Sequence, residues 1–191
     1  MQKQTLVRAD LPVPGFQAVN SPGEVLTAAK ALGRPLVLKA RRNGYDGKGN
    51  FTLHSAEDVP VGWKKFGGGT DKLFVEAFWD FSQELAGIVT RARGGDRVTY
   101  PVVETIQRDH VCHMVQAPAA LSPELAARAT ELADRAVTAV GGVGSFGVEL
   151  FLSVTGEFAL NELAPRVHNS GHYTIEACER AASAIRFDGN G

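Results

Sequence analysis

Short apolar runs separated by glycine, proline and polar clusters dominate the chain, and this pattern is typical of β-strands. Strands are predicted at Pro35–Lys39, Asn50–Leu53, Leu73–Phe78, Glu84–Val89, Arg97–Val103, Phe146–Phe151 and Glu157–Glu162. The last two are separated by the turn from Ser153 to Gly156, which is short enough for a hairpin. Pro101 indicates a sheet edge or a bulge, because proline cannot donate to a strand ladder.

Two segments combine helical periodicity with start signals. Pro22–Gly33 follows Ser21 and Pro123–Val140 follows Ser122, so each begins with a serine cap and a proline in its first turn. Weaker helical segments are Ser55–Phe66, which contains Pro60 and Gly62, and the stretch from about Thr174.

The composition is that of a folded globular protein, with 44% apolar residues in a chain of 191. Twenty basic residues against 21 acidic ones give a net charge of −1, so we expect no general attraction to nucleic acid or an anionic membrane. No apolar run approaches the roughly 20 residues of a membrane span. Cys112 and Cys178 do not make a disulfide framework, and Cys112 lacks the partners of a four-ligand zinc site, so we expect a cytoplasmic protein without zinc.

Glu149 and Glu162 each lie among apolar residues in the two strands of the predicted hairpin. Antiparallel neighbours would bring both onto one face, where two carboxylates stay ionised side by side only with a cation between them. We therefore predict a divalent-metal site there. Two surface glutamates are the plainer alternative, disfavoured because an unpaired charge in an apolar strand is costly.

Lys39 ends a predicted strand, and a glycine-rich loop containing Gly44, Gly47 and Gly49 follows it. Glycine allows positive φ angles that turn successive N–H groups inward around an anion. The ammonium of Lys39, emerging at the strand end, would suit phosphate oxygens. Loop and lysine together predict a phosphate site, whereas an isolated Lys39 would more simply be a surface lysine.

The stretch Asn161–Tyr173 follows the hairpin and carries a carboxylate, an arginine and two imidazoles in the order Asn-Glu-Leu-Ala-Pro-Arg-Val-His-Asn-Ser-Gly-His-Tyr. With the Gly44–Gly49 loop, it resembles the ATP-grasp enzymes and, within them, the 5-(carboxyamino)imidazole ribonucleotide synthase family. The resemblance covers about Leu11 to Cys178. It implies an α+β ATP-grasp fold, two α/β lobes with antiparallel sheets enclosing the nucleotide. We expect an opening segment at 1–18, a small lobe at 19–78 and a large lobe at 79–191.

The resemblance also implies a nucleotide site. It assigns ATP to Lys39, Asn43, Gly44, Tyr45, Asp46, Gly47, Lys48, Gly49, Glu76, Ala77, Phe78, Trp79, Glu84, Gln107, Asn161 and Glu162. In this set, Glu76–Trp79 is similar to the hinge that reads adenine, and Glu84 to the acidic residue that accepts ribose hydroxyls. A plain core strand and an exposed strand charge are the respective alternatives.

The resemblance implies a reaction as well. Mg²⁺, or Mn²⁺ in its place, would be held by Glu149 and Glu162 between the β- and γ-phosphates of ATP. Catalytic roles would fall on Tyr45, Asp46, Arg166, His168 and Asn169. The chemistry is activation of bicarbonate to carboxyphosphate, then attack by the amine of 5-aminoimidazole ribonucleotide, in de novo purine biosynthesis. The expected partners are these small molecules, and a homodimer or complementing fragments are compatible with them.

Several features depart from the family pattern. Family members carry an N-terminal domain before the matched region and a C-terminal portion after it, so we expect this chain to be a fragment. Asn43 replaces a usual glycine, and Gln107 stands where a histidine is common. Two alternatives stay open: another ATP-grasp carboxylate–amine ligase, such as a formate-dependent glycinamide ribonucleotide transformylase, which Arg166–His172 disfavours, and a non-catalytic fragment or half of a split enzyme.

Overall fold

The computed structural model describes residues 2–41, 49–67, 72–108, 111–179 and 181–182. Its elements, in chain order, are α1 (Gln2–Arg8), β1 (Phe16–Val19), α2 (Pro22–Leu32), β2 (Leu36–Ala40), β3 (Asn50–Leu53), α3 (Asp58–Lys65), β4 (Leu73–Ala77), β5 (Gln83–Arg91), β6 (Arg97–Thr99), β7 (Val103–Arg108), β8 (Val111–Gln116), α4 (Pro123–Ala139), β9 (Gly144–Leu152), β10 (Phe158–Ala164) and α5 (Thr174–Ala177). Two compact units form: the smaller consists mainly of residues 14–80, and the larger of residues 2–13, 81–108 and 112–182.

The smaller unit is a four-stranded antiparallel sheet in the order β1-β4-β2-β3, with α2 and α3 packed on it. Its core contains Val25 and Ala28 of α2, Val59 of α3, and the strand residues Leu36, Leu38, Leu73 and Val75. Because strand side chains alternate between faces, Lys39 and Glu76 lie on the face opposite the helices.

The helices of the smaller unit begin where local capping fixes them. Ser21 Oγ accepts a hydrogen bond from Glu24 N at 3.2 Å, which confirms the predicted start of α2. Helix α3 begins at Asp58, three residues later than predicted. The Asp58 carboxylate accepts from the backbone N–H groups of His54 and Ser55 at 2.9 and 2.8 Å, and this turn precedes the helix.

The larger unit contains a six-stranded sheet in the order β10-β9-β5-β7-β8, with β6 paired to β5. Helix α4 packs on one face and contributes Ala129, Ala133, Ala136 and Val137 to a core shared with Leu85, Val148, Leu150 and Leu163. Gly87 permits this approach, because a Cβ added there would lie 2.7 Å from the Cβ of Ala133. The Ser122 cap of α4 is confirmed by the bond from Leu125 N to Ser122 Oγ.

The predicted strand Arg97–Val103 is wrong in extent. It is divided into β6 and the beginning of β7, which both pair with β5, through Val89↔Thr99 and Ala86↔Val103. Pro101 lies in the gap, where its missing N–H costs no ladder bond. Helix α1 and strands β1 and β8 are not among the predicted elements. No helix in the described part of the chain is long and apolar enough to cross a membrane.

Candidate functional site

The face of the larger sheet opposite α4 carries acidic side chains from three adjacent strands. Glu149 of β9 pairs in register with Ala86 of β5, two residues from Glu84, and with Glu162 of β10. Side chains in register, or two residues apart, share a face. The three carboxylates therefore belong to one surface of the sheet, and the apolar neighbours of each glutamate point into the core on the other side.

A β-bulge in β10 sets Glu162 opposite Glu149. Leu160 pairs with Leu150, but the register then shifts, and Glu162 pairs with Glu149. Without the extra residue, Asn161 would lie opposite Glu149 and Glu162 would point into the core, because a slip of one residue exchanges the faces. The bulge therefore decides which β10 side chain faces Glu149.

Both carboxylate oxygens of Glu149 have partners. Asn161 Nδ2 donates to Glu149 Oε2 at 2.9 Å, and His168 Nε2 lies 3.4 Å from Glu149 Oε1. Glu149 is 16% exposed and His168 is 11% exposed. The structure thus brings three of the predicted site residues together with Glu162, at the end of the hairpin.

His168 is held by two small residues. Its Nδ1 lies 2.8 Å from Oγ of the buried Ser170. A Cβ added at Gly147 would lie 2.5 Å from His168 Cβ, so only glycine at this position of β9 leaves room for the imidazole. Sequence reasoning missed both residues, although a glycine within an apolar strand is a signal for the close approach of another group.

The Glu84 end of the same face is built from β5, β7 and β8. Gln107 Nε2 donates to Glu84 Oε1 at 3.3 Å, and Thr105 Oγ1 donates to the Glu84 backbone oxygen at 3.3 Å. Burial, followed by the negative charges of Glu149 and Glu84, raises the pKa of the Cys112 thiol. Cys112 therefore lies within the electrostatic influence of both carboxylates, although the sequence analysis assigned it no role.

The remaining predicted residues of the loop after β10 face outward. Arg166 is exposed, and its Nη1 donates to the Val167 carbonyl at 3.1 Å. Asn169 is exposed and begins a turn of 3₁₀-helix. The loop is anchored beyond them, because Tyr173 Oη donates to the Pro101 carbonyl at 2.8 Å. Arg166 and Asn169 therefore offer polar groups at the surface of an anchored loop.

In the smaller unit, Lys39 and Glu76 form an ion pair. Lys39 Nζ lies 3.0 Å from Glu76 Oε1, and the two side chains are 12% and 2% exposed. We expected the ammonium of Lys39 to emerge at a strand end, but β2 continues to Ala40 and the ammonium is held against the buried carboxylate. A buried charge needs such a partner, because its desolvation is otherwise uncompensated.

Two backbone N–H groups in the segment that follows Glu76 already donate hydrogen bonds within the fold. The N–H groups of Ala77 and Phe78 donate to the carbonyls of Gly15 and Pro35 at 2.7 and 3.2 Å. Phe78 is exposed, whereas the indole Nε1 of Trp79 is buried without a hydrogen-bond partner among the described residues. The N–H groups of Ala77 and Phe78 are therefore already bonded within the smaller unit.

Most of the predicted phosphate loop, Asn43 to Lys48, lies outside the described residues. Gly49, at its end, is described, and its carbonyl accepts a hydrogen bond from Ala40 N at 3.0 Å. The closing end of the loop is thus joined to the end of β2, next to Lys39.

The Glu149–Glu162 pair fits a hard divalent cation. Its donors are carboxylate oxygens, which Mg²⁺ and Mn²⁺ prefer, and Mg²⁺ at nucleotide sites is commonly held by one or two carboxylates plus phosphate oxygens. Among the described residues there is no group of three or more His, Cys, Asp or Glu that could hold a metal by itself. The pair is therefore suited to a metal that arrives with an oxygen-rich ligand.

The ATP-grasp domain family matches residues 4–182, and the chain belongs to this family. Phosphoribosylaminoimidazole carboxylase of Schizosaccharomyces pombe is 44% identical over 93% of this chain and 32% of its own length. N5-carboxyaminoimidazole ribonucleotide synthase of Synechococcus elongatus is 42% identical over 93% of this chain and 44% of its own length.

Structural similarity agrees with the sequence match. The crystal structure of carboxyaminoimidazole ribonucleotide synthase from Aspergillus clavatus complexed with ATP has a TM-score of 0.90 and 39% identity, over 96% of this chain and 48% of that one. The predicted ATP-grasp fold with antiparallel sheets is thereby confirmed. The chain spans about a third to a half of the length of these relatives.

Proposed function

We propose that this chain is the nucleotide- and metal-binding core of an ATP-dependent ligase of purine biosynthesis. The reaction is carboxylation of 5-aminoimidazole ribonucleotide with bicarbonate, through carboxyphosphate. The observation that carries the proposal is the bulged hairpin, which sets Glu162 opposite Glu149 and brings Asn161 and His168 to Glu149. This arrangement occurs in a chain that is 42% identical to an N5-carboxyaminoimidazole ribonucleotide synthase.

Glu149 and Glu162 would hold Mg²⁺ together with the phosphates of ATP. The bound metal would neutralise charge on the transferred phosphoryl group. Asn161 and His168 fix the Glu149 carboxylate before the ligand arrives, so less reorganisation is needed on binding. Of the other residues predicted to bind ATP, Glu84 is oriented by Gln107 and would accept the ribose hydroxyls.

The smaller unit would supply the phosphate and adenine contacts. Lys39, already oriented by Glu76, offers an ammonium to phosphate oxygens, and Gly44 and Gly47 of the neighbouring loop suit an anion. At the hinge, the backbone carbonyls and the indole N–H of Trp79 would contact the purine, because the N–H groups of Ala77 and Phe78 are engaged.

Arg166 and Asn169 would bind bicarbonate and carboxyphosphate beside His168, whose ring nitrogens contact Glu149 and Ser170, with Tyr45 and Asp46 near the accepting amine. Arg166 is exposed, and its planar guanidinium suits a carboxylate or phosphate anion. Catalysis then consists of positioning and charge neutralisation, and no covalent nucleophile of the protein is required.

Phosphate release from ATP tests this function directly. We expect slow bicarbonate-dependent release by the chain alone, and release stimulated by 5-aminoimidazole ribonucleotide once the parts of the Synechococcus relative outside the matched region are supplied. His168→Gln should reduce the stimulated rate about a hundredfold or more, because misplaced reacting groups lose that much.

Three other outcomes would contradict the proposal. Turnover with formate and glycinamide ribonucleotide, but not with bicarbonate, would indicate another carboxylate–amine ligase. ATP binding without turnover in the complete mixture would indicate a non-catalytic nucleotide-binding module. Failure of folded chain to bind Mg-ATP would exclude both the ligase and the module.

A further inference from the structure

Helix α1 and the residues after it contact the outer edge of β10. Gln2 Nε2 donates to the Leu163 carbonyl at 2.7 Å, and Leu163 N donates back to Gln2 Oε1 at 3.1 Å. Lys3 Nζ donates to the Leu160 carbonyl at 3.1 Å, and Leu160 N donates to the Pro12 carbonyl at 2.8 Å. These four bonds pair backbone groups at the outer edge of β10, where a further strand would otherwise bind. We call Gln2, Lys3 and Pro12 the β10 clamp.

The β10 clamp fits only the bulged form of the strand. In a regular antiparallel strand, every second residue directs its backbone N–H and C=O to the same edge. Glu162, and not Leu163, would then face the same edge as Leu160. The clamp instead binds Leu160 and Leu163, which are three residues apart. That spacing arises because Asn161 is the extra residue of the bulge. The clamp bonds therefore match the bulged form of β10.

We infer that Gln2 and Lys3 are positioning residues that hold Glu162 opposite Glu149. Lys3 is 5% exposed, and its ammonium is directed to the backbone of β10 rather than to water. Without the clamp bonds, β10 can adopt the regular register, in which Asn161 lies opposite Glu149 and Glu162 turns toward the core. The consequence for metal binding rests on the proposed function, whereas the consequence for the register of β10 does not.

Two variants disturb the clamp, and two serve as controls. Gln2→Glu keeps the side-chain length but removes the N–H that donates to Leu163, and Lys3→Met keeps an apolar stem but removes the ammonium. Gln17→Glu makes the same charge change at an exposed position of β1 in the smaller unit. Val7→Ala changes an exposed residue of α1 outside the clamp.

Hydrogen exchange measures, without any ligand, how firmly the backbone amides of β10 are held. In both clamp variants we expect amides of Phe158–Ala164 to exchange about two- to tenfold faster, as for the loss of one or two hydrogen bonds. Leu73–Ala77 of the smaller unit should be unchanged, and the controls should match the wild type in both segments. Unchanged exchange of Phe158–Ala164 in Gln2→Glu and in Lys3→Met would overturn the inference, whatever the nucleotide result.

Calorimetry then separates positioning from plain stabilisation. The quantity is the ratio of ATP affinity with Mg²⁺ to ATP affinity with a chelator. In a clamp variant this ratio should fall tenfold or more, while its affinity for ATP in the presence of the chelator stays within about twofold of the wild type. Faster exchange with an unchanged ratio would overturn the positioning role. A wild type that shows no Mg²⁺ dependence would overturn the proposed function and the metal role of the clamp, and the exchange result would still decide whether the clamp holds β10.

Discussion

The two units differ in how charged residues are arranged on the sheet face opposite their helices. In the smaller unit, the buried Glu76 is paired with Lys39 at 3.0 Å, so the charges are balanced within the fold. In the larger unit, Glu149 lies opposite Glu162, and the partners of Glu149 are an amide and an imidazole. Opposed like charges destabilise a sheet. The first pair therefore stabilises the fold, whereas the second pair opposes like charges and is the pair that we propose binds a cation.

The largest effect should come from breaking the pair of the smaller unit. Lys39→Met leaves Glu76 buried beside an apolar side chain, and we expect the free energy of unfolding to fall by about 3 kcal/mol. Urea denaturation measures this loss. The double variant Lys39→Met/Glu76→Gln should recover most of it, because no buried charge remains. A loss below about 1 kcal/mol would show that the pair behaves as a surface salt bridge.

A smaller effect is expected where the larger unit makes room for His168. Gly147→Ala places a methyl group 2.5 Å from His168 Cβ, and we expect a loss of about 1–3 kcal/mol together with displacement of the imidazole. Denaturation and the NMR signals of His168 report the two effects. Gly94→Ala is the matched control, because a Cβ there meets nothing within 4 Å. Equal stability of both variants would contradict this, because it would mean that the loop after β10 moves aside for the methyl group at no cost in stability.

The smallest effect concerns the pKa of the Cys112 thiol, which burial and the carboxylates of the larger unit raise. Burial and the charges of Glu149 and Glu84 raise its pKa, so the thiolate should appear at higher pH than for an ordinary cysteine. The rate of alkylation against pH, followed on the Cys112 peptide, measures this. Glu84→Gln should move the midpoint to lower pH, whereas Glu131→Gln on α4 should not. Identical midpoints for the two variants would contradict the shared acidic face.

The sequence predicts the elements whose signals are local. Ser21 and Ser122, each followed by proline, predict the starts of α2 and α4. The turn after Ser153 predicts the β9–β10 hairpin. Helix α1 has only 7 residues and no capping signal. Its role depends on bonds between residues more than 150 positions apart, which no local pattern can indicate.

The pairing of Glu149 with Glu162 also depends on a feature that no local sequence pattern indicates. As antiparallel neighbours, Glu149 and Glu162 are predicted to share a face, and they lie opposite each other. Yet the hairpin begins with Leu152 opposite Phe158, and continuing that register pairs Glu149 with Asn161. Only the bulge brings in Glu162, and nothing in Phe158–Ala164 marks it, because the run is an ordinary strand sequence. The ion pair of Lys39 with Glu76 is missed for a related reason, since it depends on the β2–β4 register.

The central claim is that the opposed glutamates hold a metal with the nucleotide, and titration calorimetry of ATP with and without Mg²⁺ tests it most directly. We predict that Mg²⁺ strengthens ATP binding by the wild type and by the control Glu131→Gln. Glu162→Gln should lose tenfold or more of that gain, with its free energy of unfolding unchanged or slightly raised, because one of two like charges is removed. An equal gain from Mg²⁺ in Glu162→Gln and in the wild type would contradict the account.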